Sequence, residues 1–241
     1  MKVSVILRTD GAPSFLEKAI WGYATQCHRD FELLIADHSL TQETGLLIQR
    51  MRNATDLNLR LVLEEGGSNH QPVVLNKAIC AASSDYIIFS DSCCVPRWDF
   101  VAQHVGRAKS GCMLFGDVIR LPEVASQRIS TEHILSGQAT SPSWLRSQGV
   151  SMGSRMLPLL SGPRLAMWLD RVPTARHKWN SLNSSAWKDD ILRANGFDER
   201  MKDGDIDREL GERMHNAGIR TKQIRHQAIC LQLDQTRETI Q

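Results

Sequence analysis

No stretch of this chain approaches the roughly 20 consecutive apolar residues that a membrane-spanning helix needs. The opening segment, Met1-Lys2-Val3-Ser4-Val5-Ile6-Leu7, lacks the longer apolar core and small-residue cleavage site of an export signal. The six cysteines, at 27, 80, 93, 94, 112 and 230, form no Cys-X2-Cys pair, so a structural zinc site is not expected. No Gly-X-Gly-X-X-Gly follows the first apolar run, which argues against a dinucleotide-dependent oxidoreductase. Excess charge of one sign is missing too. The net charge of +2 makes no electrostatic case for nucleic acid or an anionic membrane. These absences predict a cytoplasmic protein with free thiols and no transmembrane segment, with membrane contact at most peripheral. Cys80, Cys112 and Cys230 lie in apolar surroundings and are expected to be small buried hydrophobes.

What is present is an alternation of short apolar runs with helical patterns. The chain has 241 residues, 41% hydrophobic and 23% charged, enough for one large α/β domain or two small ones. Val3 to Leu7 reads as a strand covered on both faces. Ser14 is placed to cap the helix that follows, with Glu17 three residues on. Phe31 to Ala36 is a second strand, Gln42 to Arg52 a helix, and Leu59 to Leu63 a third strand. Gly66-Gly67-Ser68-Asn69 is a loop, Val73 to Ala82 a helix, and Tyr86 to Phe89 a fourth strand. Phe100 to Lys109 reads as a helix, and Cys112 to Leu121 as a strand pattern. Residues 122 to about 180, rich in proline and serine, read as an insertion of loops and short helices. Regular structure resumes from Ser184 to Leu192. A turn at Asn195-Gly196-Phe197-Asp198, a helix from Asp207 to Ala217 and a last strand from Ala228 to Leu233 follow. The alternation predicts a mostly parallel sheet with helices on both faces.

Two runs end in a carboxylate: Leu33-Leu34-Ile35-Ala36-Asp37 and Tyr86-Ile87-Ile88-Phe89-Ser90-Asp91. The carboxyl ends of strands are where open α/β sheets bind ligands. Either acid also suits the role of a turn residue ending a strand. Histidines 28, 38, 70, 104, 133, 177, 215 and 226 are scattered and mostly expected at the surface, with His38 the one next to a candidate acid. The tryptophans at 144, 168, 179 and 187 suit either packing or stacking on sugar rings.

Four blocks in register resemble family 2 nucleotide-sugar glycosyltransferases: Val3–Thr9 with Asp37, Asn76-Lys77-Ala78-Ile79, Asp91-Ser92-Cys93, and Asn195–Arg200 with Ile206-Asp207-Arg208-Glu209-Leu210. The resemblance implies a single GT-A type α/β domain, with residues 1–121 as the nucleotide-sugar-binding half and 122–241 as the acceptor half. It implies inverting transfer from a nucleotide-diphosphate sugar to a glycan or lipid-linked hydroxyl, as in bacterial surface-polysaccharide synthesis. By that resemblance Thr9, Asp37, Asn76 and Asp91 face the donor, Asp207 is the base, and Asp198 and Glu209 lie on the acceptor side. A helix-capping role for Asp207 is the structural alternative.

The chain also departs from the family pattern. Leu75 stands where an arginine pairs with the diphosphate, and Lys77 points to another helix face. Cys93 replaces the second acid of the Asp-X-Asp signature, and Ile206 replaces a glutamate. Gln232 and Gln235 stand where a histidine is common, with Asp234 beside them. Mg²⁺ and Mn²⁺ prefer oxygen ligands, so Cys93 and Gln232 disfavour a divalent cofactor. The five departures keep a second reading open, a relative that binds sugar nucleotide or glycan without turnover.

Overall fold

The computed structural model describes residues 1–10, 12–39, 42–63, 70–151, 156–160, 163–171, 179–201 and 205–234. The first half runs β1 (Val3–Thr9), α1 (Pro13–Ala24), β2 (Phe31–Asp37), α2 (Gln42–Ala54), β3 (Asn58–Leu63), α3 (Gln71–Ala81) and β4 (Tyr86–Asp91). Next come β5 (Cys94–Pro96), α4 (Phe100–Arg107), β6 (Cys112–Phe115) and β7 (Ile119–Arg120). The predicted insertion contains α5 (Glu123–Arg128), α6 (Thr131–Leu135), a 3-10 turn at Gln138–Thr140, α7 (Pro142–Ser147), α8 (Leu157–Leu160) and α9 (Pro163–Leu169). The chain then returns through β8 (Ser184–Trp187), α10 (Lys188–Arg193), α11 (Ile206–Asn216), β9 (Arg220–Gln223) and β10 (Cys230–Gln232). The predicted loop at 66–69 and Gln235 lie outside the described residues.

Seven strands form the main sheet in the order β3-β2-β1-β4-β8-β6-β9. β3, β2, β1 and β4 are mutually parallel, and β8 is antiparallel to both β4 and β6. β1 to β4 are apolar runs because the sheet is covered on both sides. On one side Val3, Val5 and Leu7 pack with Leu16, Ile20 and Tyr23 of α1 and Leu47, Ile48 and Met51 of α2. On the other, Ile6, Leu34, Ile87 and Phe89 pack with α3, α10 and α11 through Leu75, Ile191, Ile206 and Leu210. A three-stranded sheet, β5-β10-β7, carries a separate core with the insertion, where Ile129, Ile134, Trp144 and Leu145 are buried. Among the described residues no helix is long and apolar enough to cross a membrane.

Several local expectations are corrected. α1 begins at Pro13, with Ala12 rather than Ser14 in the cap position. Proline suits the first turn because the N–H it lacks would have no helical partner. Cys80 is exposed on α3, since its helical position faces away from the sheet. The strand expected over Cys112–Leu121 breaks after Phe115. There the Gly116 N–H donates to the Asn183 carbonyl at 2.7 Å, and a Cβ on Gly116 would lie 2.3 Å from Asn183 Nδ2. Among the tryptophans, Trp144 and Trp179 are buried and Trp168 is exposed.

His104, expected at the surface with most histidines, is wholly buried on α4. Its Nδ1 lies 2.8 Å from Ser185 Oγ and its Nε2 3.0 Å from Asn183 Oδ1. Asn183 Nδ2 also donates to the carbonyls of Asp117 and Ala228 at 2.8 and 2.9 Å. Desolvation pushes the imidazole down to about 3, although the bond to Asn183 favours its charge. A neutral imidazole therefore pins the segment that enters β8.

Candidate active site

Parallel register brings the strand ends together. Thr9 pairs with Asp37 across β1 and β2, and Arg8 pairs with Asp91 across β1 and β4. The sequence order of the strands reverses between β1 and β4, the switch point at which such sheets open a crevice. Thr9, Asp37 and Asp91, predicted separately, thus share one sheet edge.

Asp37 is fully buried. Its Oδ1 accepts from the Ser39 N–H at 2.9 Å and the Ser39 hydroxyl at 2.6 Å. Its Oδ2 is buried with no partner among the described residues. An orphaned carboxylate oxygen is costly unless a donor arrives. Beside it, His38 Nδ1 donates to the Thr9 carbonyl at 2.7 Å. Burial lowers the His38 pKa, outweighing the pull of Asp37 and Asp10.

Asp91 is nearly buried and paired with a residue the sequence analysis gave no role. Arg8 donates to Asp91 Oδ2 from Nε at 2.7 Å and from Nη2 at 2.6 Å. The Cys93 N–H donates to Oδ1 at 3.0 Å. Gln71, with its amide oxygen turned toward Arg8, accepts from Nη1 and, more distantly, from Nε at 3.2 Å. Burial alone would lower the Arg8 pKa, but Asp91, then Asp207, favour the charge and the net displacement is upward. The available signal was a charged residue near the end of an otherwise apolar buried strand.

Asp207 joins this cluster from α11. The helix starts at Ile206, one residue earlier than expected, and Asp205 rather than Asp207 occupies the cap position. Asp207 accepts a short hydrogen bond from Ser181, a second residue that sequence reasoning missed. Ile206, in the place of a glutamate, is buried in the core. Leu75, where the resemblance leads one to expect an arginine, is likewise fully buried and packs in the core.

Cys93 and Gln232 meet because β5 and β10 are antiparallel neighbours, with Gln232 in register with Cys94. Gln232 Nε2 donates to Cys93 Sγ at 3.8 Å, and Gln232 Oε1 is buried without a partner among the described residues. Hydrogen bonding with Cys94, burial and the nearby Asp91 push the Cys93 thiol far up, so it is neutral. The neutral thiol offers a hard divalent cation no oxygen, and the amide offers one oxygen without charge, so the pair is a poor substitute for a carboxylate and an imidazole.

Asn76, Asp198 and Glu209 are not part of this edge. They line a separate cavity of about 580 Å³ with Asn195, Glu199 and Arg213. Asn76 Oδ1 accepts from the Phe197 N–H at 2.8 Å, and its Nδ2 donates to the Phe197 carbonyl and to Glu199 Oε1, each at 2.9 Å. Gly196 has φ +60°, and a Cβ there would lie 2.4 Å from Asn76 Oδ1. Asp198 is gripped by Arg200, whose hydrogen bonds hold its carboxyl well below the ordinary range. Glu209 is paired with Arg213, which also donates to the carbonyls of Ala194 and Gly196. The Gly-Phe-Asp-Glu block braces α3 against α10 and α11, and the three residues lie at that brace and along its cavity.

Residues 4–146 match the family described as glycosyl transferase family 2. No curated protein matches the sequence significantly. Among solved structures, the mannosyltransferase PcManGT from Pyrobaculum calidifontis, in complex with GDP-Man and Mn²⁺, superposes with TM-score 0.66 at 17% identity. The match covers 98% of this chain and 58% of that one. S. aureus TarS superposes with TM-score 0.64 at 16% identity, covering 97% of this chain and 37% of that one. TarS 1-349 in complex with UDP gives 0.64 at 15% identity, over 96% and 60%. This chain thus spans between about a third and three fifths of the solved chains it resembles, and likeness at such identity speaks to fold. The sheet order, with its reversal between β1 and β4, the likeness to solved structures and the family match over more than half its length together make this chain a member of glycosyl transferase family 2 with a GT-A fold.

Proposed function

We propose that this chain transfers a sugar, with inversion, from a nucleoside-diphosphate sugar to a hydroxyl of a glycan or lipid-linked acceptor. The observation that carries the reading is the gathering of Asp37, the Arg8–Asp91 pair and Asp207 at one sheet edge. Asp37 Oδ2, buried and unpartnered among the described residues, supports recognition of a ring or exocyclic N–H of the base. Thr9 borders that position in the β1–β2 register. Asp91 lies toward the ribose and diphosphate.

In the step itself, Asp207 accepts the proton of the acceptor hydroxyl while the hydroxyl oxygen bonds to the anomeric carbon. The bond from that carbon to the phosphate oxygen breaks, and its electron pair leaves on the nucleoside diphosphate. Attack opposite the leaving group inverts the anomeric centre. Ser181 orients Asp207 by donating to Oδ1, which leaves the other oxygen to serve as the base.

Binding without turnover is the second reading, favoured by the neutral Cys93–Gln232 contact. A panel of nucleoside-diphosphate sugars, assayed for affinity and for release of nucleoside diphosphate with glycan acceptors, separates the two. Transfer is expected, with donor affinity falling at least tenfold in Asp37→Asn. Binding with no release under any pairing establishes the second reading. A panel with no binding at millimolar concentration defeats both.

A further inference from the structure

We infer that Arg8 is the cation that receives the donor diphosphate, in the place where a divalent metal would otherwise stand. The inference rests on the donor-site reading above. The fold and the residues beside Asp91 disagree about a metal. The solved mannosyltransferase that shares the fold carries Mn²⁺ with its nucleotide sugar. Here the residues facing one another beside Asp91 are a protonated thiol and an amide, Cys93 and Gln232. Neither brings negative charge, so of these three side chains only Asp91 offers a hard cation a carboxylate, and Arg8 already donates twice to its Oδ2.

Charge is conserved by the exchange. A divalent cation held by two carboxylates sums to zero. So does one guanidinium held by one carboxylate. This chain has Cys93 in place of the second acid and a fixed cation one strand away, in direct register with Asp91. Leu75 strengthens the case, because a buried leucine on α3 offers the phosphate nothing.

Geometry supplies the rest. A guanidinium carries five N–H donors, and Asp91 draws on one from Nε and one from Nη2. Even with Gln71 facing the same group, both terminal nitrogens keep a hydrogen to donate. The Arg8 side chain is 23% exposed while Asp91 is 9% exposed, so Arg8 is the more accessible member of the pair. Asp91 and Gln71 fix its plane, and a planar fork suits two phosphate oxygens better than a mobile ammonium does. Asp207 lies close enough to favour the Arg8 charge, which sets the diphosphate side of the donor beside the base.

The test measures affinity for UDP and GDP, and for uridine and guanosine, in the intact chain and in Arg8→Gln and Arg8→Lys, with EDTA or with Mn²⁺. For whichever nucleotide binds, the parent affinity is expected to stay within threefold between EDTA and Mn²⁺. Arg8→Gln should lose roughly 10- to 100-fold for the diphosphate and less than threefold for the nucleoside. Arg8→Lys should recover part of the loss. An EDTA-reversible gain of tenfold or more with Mn²⁺ in the parent overturns the inference while leaving the donor reading intact. So does an unchanged diphosphate affinity in Arg8→Gln. Equal loss for nucleoside and diphosphate overturns it as well, since Arg8 would then only hold Asp91 in place. If the parent binds none of the four compounds, the donor reading itself fails and the inference goes with it. Circular dichroism and urea midpoints of both variants identify any loss that comes from unfolding.

Discussion

Acid should weaken this fold earlier than its carboxylates alone would, and His104 is the reason. In the unfolded chain the imidazole takes up a proton near pH 6.5, while in the fold it does so only near pH 3. Between those values the unfolded state binds the extra proton, so stability is complete above about pH 6.5 and falls as pH is lowered. With those two values the loss between pH 7.5 and pH 5 is about 2 kcal/mol. His38 and His226 are also displaced downward by burial and add in the same direction. Glu32, held at about 2 against an ordinary 4.5, adds its loss only at more acid pH. The difference between parent and His104→Gln therefore isolates the one imidazole. Urea unfolding followed by tryptophan fluorescence at pH 7.5, 6.5, 5.5 and 5.0 should show the parent losing about 2 kcal/mol more than the variant across that range. His104→Gln is expected to be the less stable of the two at pH 7.5, because it disturbs the bonds to Ser185 and Asn183. Parallel pH profiles for the two proteins would refute a buried neutral imidazole.

Asp207→Asn should reduce transfer by roughly 10²–10⁴ and leave donor affinity within threefold, because an amide cannot take the hydroxyl proton; turnover close to the parent would remove Asp207 from the base role. Ser181→Ala should lower kcat by about tenfold with little change in donor affinity, since it releases the carboxylate that Ser181 orients; an unchanged kcat would show that Asp207 needs no such support. Gly196→Ala should cost about 2–3 kcal/mol by urea denaturation. About 1–2 of this is left-handed backbone and about 1 is a displaced Asn76 hydrogen bond; an unaltered midpoint would contradict the brace.

The elements were legible in the sequence because their signals are local. Val3–Leu7, Phe31–Ala36 and Tyr86–Phe89 are apolar runs that only a sheet covered on both faces can satisfy, and the structure places them as β1, β2 and β4. Asp37 and Asp91 were recognisable because a carboxylate that ends a buried strand must emerge at the sheet edge. Tertiary structure decided the partners. Arg8 reaches Asp91 across 83 residues, Asn76 reaches Phe197 across 121, and Gln232 reaches Cys93 across 139. Such contacts follow from strand order and register, which no local pattern specifies. The same motif residues therefore divided, with Asp37 and Asp91 at neighbouring strand ends, Asp207 near enough to Arg8 to favour its charge, and Asn76, Asp198 and Glu209 lining the cavity beside the Gly-Phe-Asp-Glu turn. His104 went to the interior because the Asn183 and Ser185 side chains that satisfy it arrive from β8 and the turn before it, some 80 residues further along the chain.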